Sequence, residues 1–445
     1  MKPEVKDYCD NYMQFLETAV CAPWTAKGVI EHATKYGFKI IEEKQVKFKG
    51  GDKFIFNNSY NSVALVRVGE ECPAKKGFNV IACHIDNPQL ILKPKPIDSK
   101  EHCFLLKTMF HGGGGWTTWF NRPLGIAGRY YERSSGRPNI GEFSRLPEPK
   151  EKFIRIDDIP SVIAVEAKHL NANVDSSRKL DEELDLHALI AIENETEKFD
   201  EYVQNSLEKR GISLKDCSRA EFYLYPLEKP QYIGLEQSMI FAHGHDDRSM
   251  VFAALSAICE AEDTAKTSIV FFFDNEEIGS QDRGGATSRW SNSVARRITE
   301  HHERNYDQSV DDLEIAWAKS VVLSADVGHA CIPPHGHLFD LTNAAYMGKG
   351  PSIAIDEDGN YATSAQGIAI IQDLASRHDI PLQIETNKQN KICGTTIGPM
   401  IAANMGAMTV DIGVPILSMH SCMEIGSTSD FYNCKELFVH YFNGD

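Results

Sequence analysis

The chain has 445 residues and a formal net charge of −17, from 46 lysines and arginines and 63 aspartates and glutamates. This balance argues against a protein that tracks nucleic-acid phosphates or binds anionic membranes. No apolar run approaches the roughly 20 residues that span a bilayer, and the charged amino terminus lacks the apolar block of a secretory signal. We therefore expect a cytoplasmic protein of about two or three domains, without nucleic-acid or membrane partners.

The eleven cysteines are scattered and odd in number, and none forms a CxxC pair. A disulfide framework is therefore not expected, and in a reducing cytoplasm most of these cysteines should be buried thiols. Any bound metal must then be held by histidines and carboxylates.

The first ninety residues predict two helices followed by strands. A glycine turn near residue 50 precedes the strand-like segments KFIFNN and SVALVRVG. The next segment, FNVIACHID, is an almost continuous apolar run, which is typical of a strand buried on both faces.

The middle of the chain, from about residue 93 to residue 235, is richer in charge, proline and glycine, with strand-like pieces such as FLLKTMF, IPSVIAV and EFYLYPL. Buried strands and amphipathic helices then alternate again. This pattern predicts an α/β domain formed by residues 1–92 and 236–445, interrupted by a mixed or β-rich insertion over residues 93–235.

Potential metal ligands occur where apolar segments end. Four segments lead into histidine or acidic side chains: His84 and Asp86, Glu276 and Glu277, Asp326, and His420. Ligands of open α/β sheets bind beyond the carboxyl ends of the strands, so we expect these side chains to meet. Asp246 lies just before an amphipathic helix, which is another natural position for a functional residue. Any one of these residues alone is a weak signal, but carboxylates beside buried strands are costly unless they are paired or bind a cation.

This set of residues fits two divalent ions that share one carboxylate. Asp246 could bridge the ions, with His84 and Asp326 completing one site and Glu277 and His420 completing the other. Nitrogen and oxygen ligands of this kind suit zinc, and they would also accept cobalt or manganese.

Two further carboxylates have predicted supporting functions. Asp86 and His84 are two residues apart and share a face of an extended strand, so Asp86 could orient the imidazole. Glu276 is left without a metal and could take a proton from the attacking water.

Several motifs, in this order, extend over almost the whole chain: ACHIDNPQL, GGGGWTTWFNRPLGIAGR, DDRSM, FDNEEIGS, SADVGHA, GNYATS, CGTTIGPMIAANMG and VDIGVPILSMHSCMEIGSTSD. Through them the chain resembles the aspartyl aminopeptidases and vacuolar aminopeptidase I, a family of cocatalytic-zinc metallopeptidases. By similarity, the family's zinc ligands correspond to His84, Asp246, Glu277, Asp326 and His420. Glu276 corresponds to the general base and Asp86 to the supporting carboxylate.

The resemblance implies an α/β fold, with a mixed-sheet zinc-peptidase domain of the phosphorylase/hydrolase-like type, helices on both faces and an inserted β-rich dimerisation domain. It also implies a homo-oligomer, a tetrahedral dodecamer built from dimers, that admits small peptides. His169 resembles the histidine that the insertion sends into a neighbouring subunit's active site, where it would stabilise the oxyanion. The alternative interpretation is an exposed loop histidine.

The chain departs from the family pattern at the bridging aspartate. Family members commonly carry Arg-Leu-Asp-Asn there, whereas this chain has the segment 244–247, Gly-His-Asp-Asp. His243 and His245 are therefore extra imidazoles, which we interpret as supporting or structural residues, with substrate contact as the alternative.

A second departure concerns specificity. Aspartyl-specific relatives place a lysine where Ala354 stands and an arginine where Asn360 stands, and these cations suit a substrate carboxylate. Their absence argues against acidic specificity. Lys349 and Lys391 are either replacement cations or ordinary surface lysines.

These observations predict a metal-dependent aminopeptidase that removes the N-terminal residue from small peptides. Water activated by two zinc ions would be the nucleophile, with Glu276 as general base. One alternative is a cocatalytic-zinc deacylase or amidohydrolase on the same scaffold, which would cleave N-acyl amino acids. The other is a non-enzymatic assembly protein that kept only the fold, although such a protein has no use for the ligand set and Glu276.

Overall fold

A computed structural model describes residues 1–41, 47–59, 61–132, 149–170, 180–193, 198, 214, 216–303, 309–391 and 394–444. The chain divides into two compact units, one formed by Met1–Asn87 with Pro230–Asp445 and the other by Pro88–Lys229. The boundaries predicted from the sequence, at residues 92 and 235, lie a few residues beyond these.

The ten cysteines in the described ranges are free, and most are buried; Cys393 lies outside those ranges.

A nine-stranded sheet forms the centre of the first unit. Its strands are β1 (Lys39–Ile40), β2 (Lys53–Asn57), β3 (Val63–Arg67), β4 (Phe78–His84), β13 (Thr267–Phe273), β14 (Val321–Ala325), β16 (Ser352–Ile355), β17 (Gln383–Thr386) and β18 (Met408–Gly413). They lie in the order β1-β2-β3-β13-β4-β14-β18-β16-β17. The sheet is mixed, because β13, β4, β14 and β18 run parallel while β3 and β16 run antiparallel to their neighbours in this group.

Helices cover both faces of this sheet, as predicted. Alternate residues of β4 enter different cores: Val80 and Ala82 belong to one apolar cluster, and Ile81 and Cys83 to the other. A strand buried on both faces needs apolar residues at every position, which explains the continuous apolar runs in the sequence. The predicted α/β class is confirmed.

The helices of the first unit separate into two groups. The cluster that contains Ile81 is packed with α1 (Pro3–Thr18), α2 (Ala22–Lys35), α4 (His245–Glu260), α7 (Ala365–Arg377) and α9 (Thr428–Asn443). The cluster that contains Val80 is packed with α5 (Trp290–His301), α6 (Asp312–Ala318) and α8 (Gly398–Met405). The short helix α3 (Pro73–Lys76) precedes β4. Among the described helices, none combines the length and hydropathy that a membrane span requires.

A second, five-stranded sheet also belongs to the first unit. It consists of β11 (Gln231–Ile233), β12 (Met239–Ala242), β15 (Gly328–His329), β19 (Pro415–Leu417) and β20 (Glu424–Ser427), in the order β11-β12-β20-β19-β15. Two of the predicted metal ligands, Asp246 and His420, lie in the segments that follow strands of this sheet.

The second unit is built on a six-stranded sheet, as the β-rich composition of the insertion predicts. Its strands are β5 (Gln89–Lys100), β6 (Cys103–His111), β7 (Leu124–Glu132), β8 (Lys150–Ser161), β9 (Ala188–Ile192) and β10 (Ala220–Pro226), in the order β8-β7-β10-β5-β6-β9. The segment IPSVIAV contributes only its first three residues to β8, which begins in the charged stretch KEKFIRIDD. An edge strand with one solvated face can alternate charged and apolar residues. The prediction from apolar content therefore placed this strand too late in the chain.

Candidate metal centre

Parallel strand pairing brings three sequence-distant segments together. His84 is the last residue of β4, and Phe273 at the end of β13 is its register partner. Glu276 and Glu277 follow β13 in a short 3-10 turn, and Asp326 comes directly after β14. Because β13, β4 and β14 are parallel neighbours, their carboxyl ends place these side chains at one edge of the sheet.

Asp246 and His420 reach the same place from the side of the five-stranded sheet. Asp246 lies in the first turn of α4, after β12, and His420 lies between β19 and β20. The buried Glu424 carboxylate links them, because it accepts the Asp246 N–H at 3.1 Å and the His420 N–H at 2.8 Å. One carboxylate thus fixes the backbone of two candidate ligands.

The two oxygens of Asp246 face two different groups of side chains. Oδ1 lies 3.3 Å from Nε2 of His84, which is itself 3.6 Å from Oδ1 of Asp326. Oδ2 lies 3.1 Å from Nε2 of His420, which is 3.6 Å from Oε2 of Glu277. The Asp246 carboxylate therefore lies between two potential sites and is shared by both.

Each of these groups has the spacing of a metal site. Candidate ligand atoms of His84, Asp246 and Asp326 lie within 4.8 Å of one another, as do those of Asp246, Glu277 and His420. Among the described residues, Oδ1 of Asp246 and Oε1 of Glu277 are buried without a hydrogen-bond partner. Buried, unsatisfied carboxylate oxygens beside imidazole nitrogens fit a divalent cation, and this donor set suits zinc.

The cluster contains more carboxylates than cationic groups, and this excess of acidic groups affects their pKa values. Burial raises the pKa of Glu277 well above its usual range, and the Asp246 carboxylate adds to the rise. Burial also raises the pKa of Asp326. For Asp246, burial would raise the pKa, but the nearby His420 and His84 imidazoles outweigh it and hold that pKa below its usual range. Cations would compensate this charge and favour the ionised carboxylates.

Asp86 supports the cluster through hydrogen bonds. Its Oδ1 and Oδ2 accept the backbone N–H groups of Glu276 at 3.1 Å and of Glu277 at 3.2 Å. Oδ1 also lies 3.4 Å from Nδ1 of His84. The Asp86 backbone carbonyl lies closer to the same Nδ1, at 3.0 Å. Asp86 therefore positions the imidazole mainly through its carbonyl, and its carboxylate positions the turn that carries two glutamates, as residues that support metal ligands do.

Two acidic residues of the centre were not predicted from the sequence. The Asp247 Oδ2 accepts the backbone N–H of His84 at 3.1 Å, and its candidate ligand oxygen belongs to the same group as Asp246 and Asp326. Glu424 is the second. Asp247 directly follows the predicted ligand Asp246, and Glu424 comes four residues after the predicted ligand His420. Their proximity to these ligands in the sequence was the signal that could have identified them.

His329 is a third residue that the sequence did not indicate. It lies three residues after Asp326, in β15. Burial lowers its pKa, and the nearby His420 imidazole lowers it further. A third imidazole therefore lies close to the candidate metal cluster.

His243 and His245 have structural hydrogen bonds. His245 is fully buried, and its Nε2 lies 3.1 Å from the Ile240 carbonyl while Nδ1 lies 2.7 Å from the Tyr12 hydroxyl. Nδ1 of His243 lies 2.8 Å from the Cys422 carbonyl. Burial lowers the pKa of His243 to about 3 and of His245 to about 4, so both imidazoles are neutral.

The Tyr12→Phe variant should be less stable by about 1–3 kcal/mol. Nε2 of His245 must carry the proton to bond a carbonyl, so Nδ1 accepts from Tyr12, and phenylalanine leaves that buried acceptor unsatisfied. Urea unfolding measures the change, with Tyr36→Phe at a 45% exposed tyrosine as control. An equal midpoint for both variants would show that this hydrogen bond does not stabilise the fold.

The remaining predicted residues are not members of the described metal groups. His169 is exposed, in a turn of the second unit. Lys349 and Lys391 are exposed lysines. Asn360 caps a turn, because its Nδ2 donates to Oδ2 of Asp356 at 2.6 Å. Ala354 lies in β16.

Histidines and carboxylates gathered beyond the parallel strands of a mixed α/β sheet fit a metal-dependent hydrolase. The family model of the aminopeptidase I zinc metalloproteases, M18, matches residues 15–442. The chain belongs to this family, and it is accordingly a metal-dependent aminopeptidase that hydrolyses peptide bonds. The resemblance drawn from the sequence motifs is confirmed.

Curated relatives match over nearly their full length. A probable M18 family aminopeptidase 2 of Clostridium novyi is 29% identical over 100% of both chains. Aspartyl aminopeptidase 1 of Schizosaccharomyces pombe is 29% identical over 99% of this chain and 96% of its own.

Solved structures of the family have the same fold. The crystal structure of an M18-family aminopeptidase from Thermotoga maritima has a TM-score of 0.86 at 26% identity, covering 99% of this chain and 97% of that one. The structure of a Saccharomyces cerevisiae mApe1 dodecamer has a TM-score of 0.79 at 25% identity, covering 99% and 96%.

Proposed function

We propose that this aminopeptidase uses two divalent ions, bridged by Asp246, to remove the N-terminal residue from small peptides. The observation that carries the proposal is the Asp246 carboxylate, whose two oxygens face His84 and His420 on opposite sides. A carboxylate that served one ion would not need imidazoles at both oxygens. Two-metal hydrolases share a carboxylate in this way to hold ions roughly 3.5–4 Å apart.

In this proposal each ion has an imidazole and an unshared carboxylate. His84 and Asp326 would hold one ion, and His420 and Glu277 the other, with zinc as the metal that suits these ligands. Asp86 and Glu424 fix the orientation of the ligands through the backbone, as described above. Bound ions of this kind supply Lewis acidity, which lowers the pKa of water and polarises a scissile carbonyl.

Glu276 is the proposed general base. Its candidate ligand oxygen lies within 4.8 Å of those of His84 and Glu277, so it lines the centre beside the proposed ion sites. Burial raises the pKa of Glu276 to about 8, with the His84 imidazole opposing the rise and the Asp326 carboxylate adding to it. Bound cations would favour the ionised form of this carboxylate. Glu276 would then take the proton of the attacking water and return it to the leaving amine.

We further propose that the chain works as a homo-oligomer in the cytoplasm. A relative with this fold is a dodecamer, and the free, mostly buried cysteines suit a reducing compartment. In such an assembly the second unit would mediate dimerisation, and the exposed His169 would contact the oxyanion in a neighbouring subunit.

A substrate panel tests the proposal. Purified protein should contain about two zinc ions per chain, cleave aminoacyl-anilides with a free amine, and ignore the N-acetyl forms. A chelator should abolish cleavage, and added zinc, cobalt or manganese should restore it. Cleavage of N-acetyl amino acids in place of free-amine substrates would identify a deacylase instead, and a metal-replete protein with neither activity would indicate an assembly protein.

A further inference from the structure

Glu385 provides an acidic side chain that the proposed reaction does not use. It lies in β17, the edge strand of the nine-stranded sheet, directly opposite Ala354 of the parallel strand β16. Residues paired in this way project to the same face of a sheet. The short Ala354 side chain therefore lies beside the Glu385 side chain on that face.

The Glu385 carboxylate lies close to the segment that follows Asp326. A Cβ added to Gly328 would lie only 2.7 Å from Oε1 of Glu385, so the carboxylate contacts the backbone there. Gly328 is two residues after Asp326, a distance of at most about 7 Å along the chain. The carboxylate is therefore within reach of the side chain of a peptide whose first carbonyl lies at the metal cluster.

The charge of Glu385 is not balanced by the described residues. Burial raises its pKa to about 7, and the Ser352 hydroxyl is the one described group that favours the ionised form. Lys388, three residues away in the chain, instead donates to the His337 carbonyl at 2.8 Å. Glu385 is half-buried, and this burial desolvates its carboxylate. A desolvated carboxylate without a neighbouring positive charge is stabilised most by pairing with a cationic group.

We infer that Glu385 is a specificity-determining residue that selects a basic side chain, lysyl or arginyl, at the N-terminal position of the substrate. The inference rests on the proposed function, because it requires the scissile bond to lie at the Asp246 centre. The flexible stem of a lysyl side chain would pass beside Ala354, and its ammonium would pair with the Glu385 carboxylate. Such a pocket rejects an aspartyl substrate by repulsion between like charges.

The experiment compares kcat/KM for lysyl-, arginyl-, leucyl- and aspartyl-anilides in the zinc-loaded full-length enzyme. The wild type should prefer the two basic substrates. Glu385→Gln should lower the lysyl-to-leucyl ratio of kcat/KM about 10- to 100-fold, mainly through KM, because a charge-assisted contact is lost. Glu357→Gln, which removes the same charge from an exposed turn beyond β16, is the matched control and should leave the ratio unchanged.

Charge reversal gives a second measurement. Glu385→Lys should invert the preference, raising the aspartyl-to-lysyl ratio above that of Glu385→Gln. A lysyl-to-leucyl ratio that is the same in wild type and Glu385→Gln, or an equal loss for all four substrates, would overturn the inference while leaving the two-metal reaction intact. Failure of the metal-replete wild type to cleave any of the four substrates would instead overturn the proposed function.

Discussion

Glu276→Gln is expected to lower kcat by about two to four orders of magnitude, which is the usual contribution of a general acid–base group. Glutamine has the size of glutamate, and the Glu276 backbone N–H that binds Asp86 is unchanged by the substitution. The amide cannot accept the proton of the attacking water, however. Zinc content and thermal stability should therefore stay at wild-type values while turnover of a preferred aminoacyl-anilide falls.

The matched control is Glu236→Gln, which removes a carboxylate from an exposed loop of the same unit. It should leave kcat unchanged. A Glu276→Gln enzyme that kept its zinc and nearly full turnover would contradict the assignment of the general base. Loss of zinc together with turnover would instead show that Glu276 is a ligand.

Asp246→Asn is expected to lower zinc affinity by about 100-fold or more, beyond the loss typical of residues that only support metal ligands. The amide keeps the shape of the side chain but removes the negative charge that both proposed ion sites share. It also replaces one of the two oxygens with an NH2 group, which is not a metal ligand. Zinc per chain, measured after dialysis, should fall at both sites, and peptidase activity should fall with it.

Asp430→Asn controls for the loss of a buried aspartate. Asp430 accepts the backbone N–H groups of Gly348 and Gly350, so its replacement should lower stability without changing zinc content. Retention of two tightly bound zinc ions in Asp246→Asn would exclude a bridging function for this carboxylate.

The main features of the first unit could be predicted because they depend on local patterns. Continuous apolar runs indicated β4, β13 and β14, since a strand covered on both faces has no polar position to spare. The side chains that end such runs, His84 and Asp326 among them, had to meet at one sheet edge once the strands were parallel. The β-rich character of the insertion followed in the same way from its composition.

Residues that act through the backbone of others could not be predicted in this way. Asp247 and Glu424 are acidic residues without a distinctive spacing, and their importance lies in the N–H groups that they accept from His84, Asp246 and His420. His245 was interpreted from the sequence as supporting or structural, and its partners, Tyr12 and the Ile240 carbonyl, became known only from the structure. These distinctions depend on contacts between segments that are far apart in the chain.

The sequence by itself determined the α/β class, the family and the residue types of a metal site, because apolar periodicity and motif order are properties of the chain alone. Only the tertiary structure decided that Asp246 presents its two oxygens to different imidazoles, and that Glu385 lies beside Ala354 near Gly328. The physical reason is that a metal site and a specificity pocket depend on distances of a few ångströms between side chains. Those distances are set by strand register and by packing between the two sheets of the first unit.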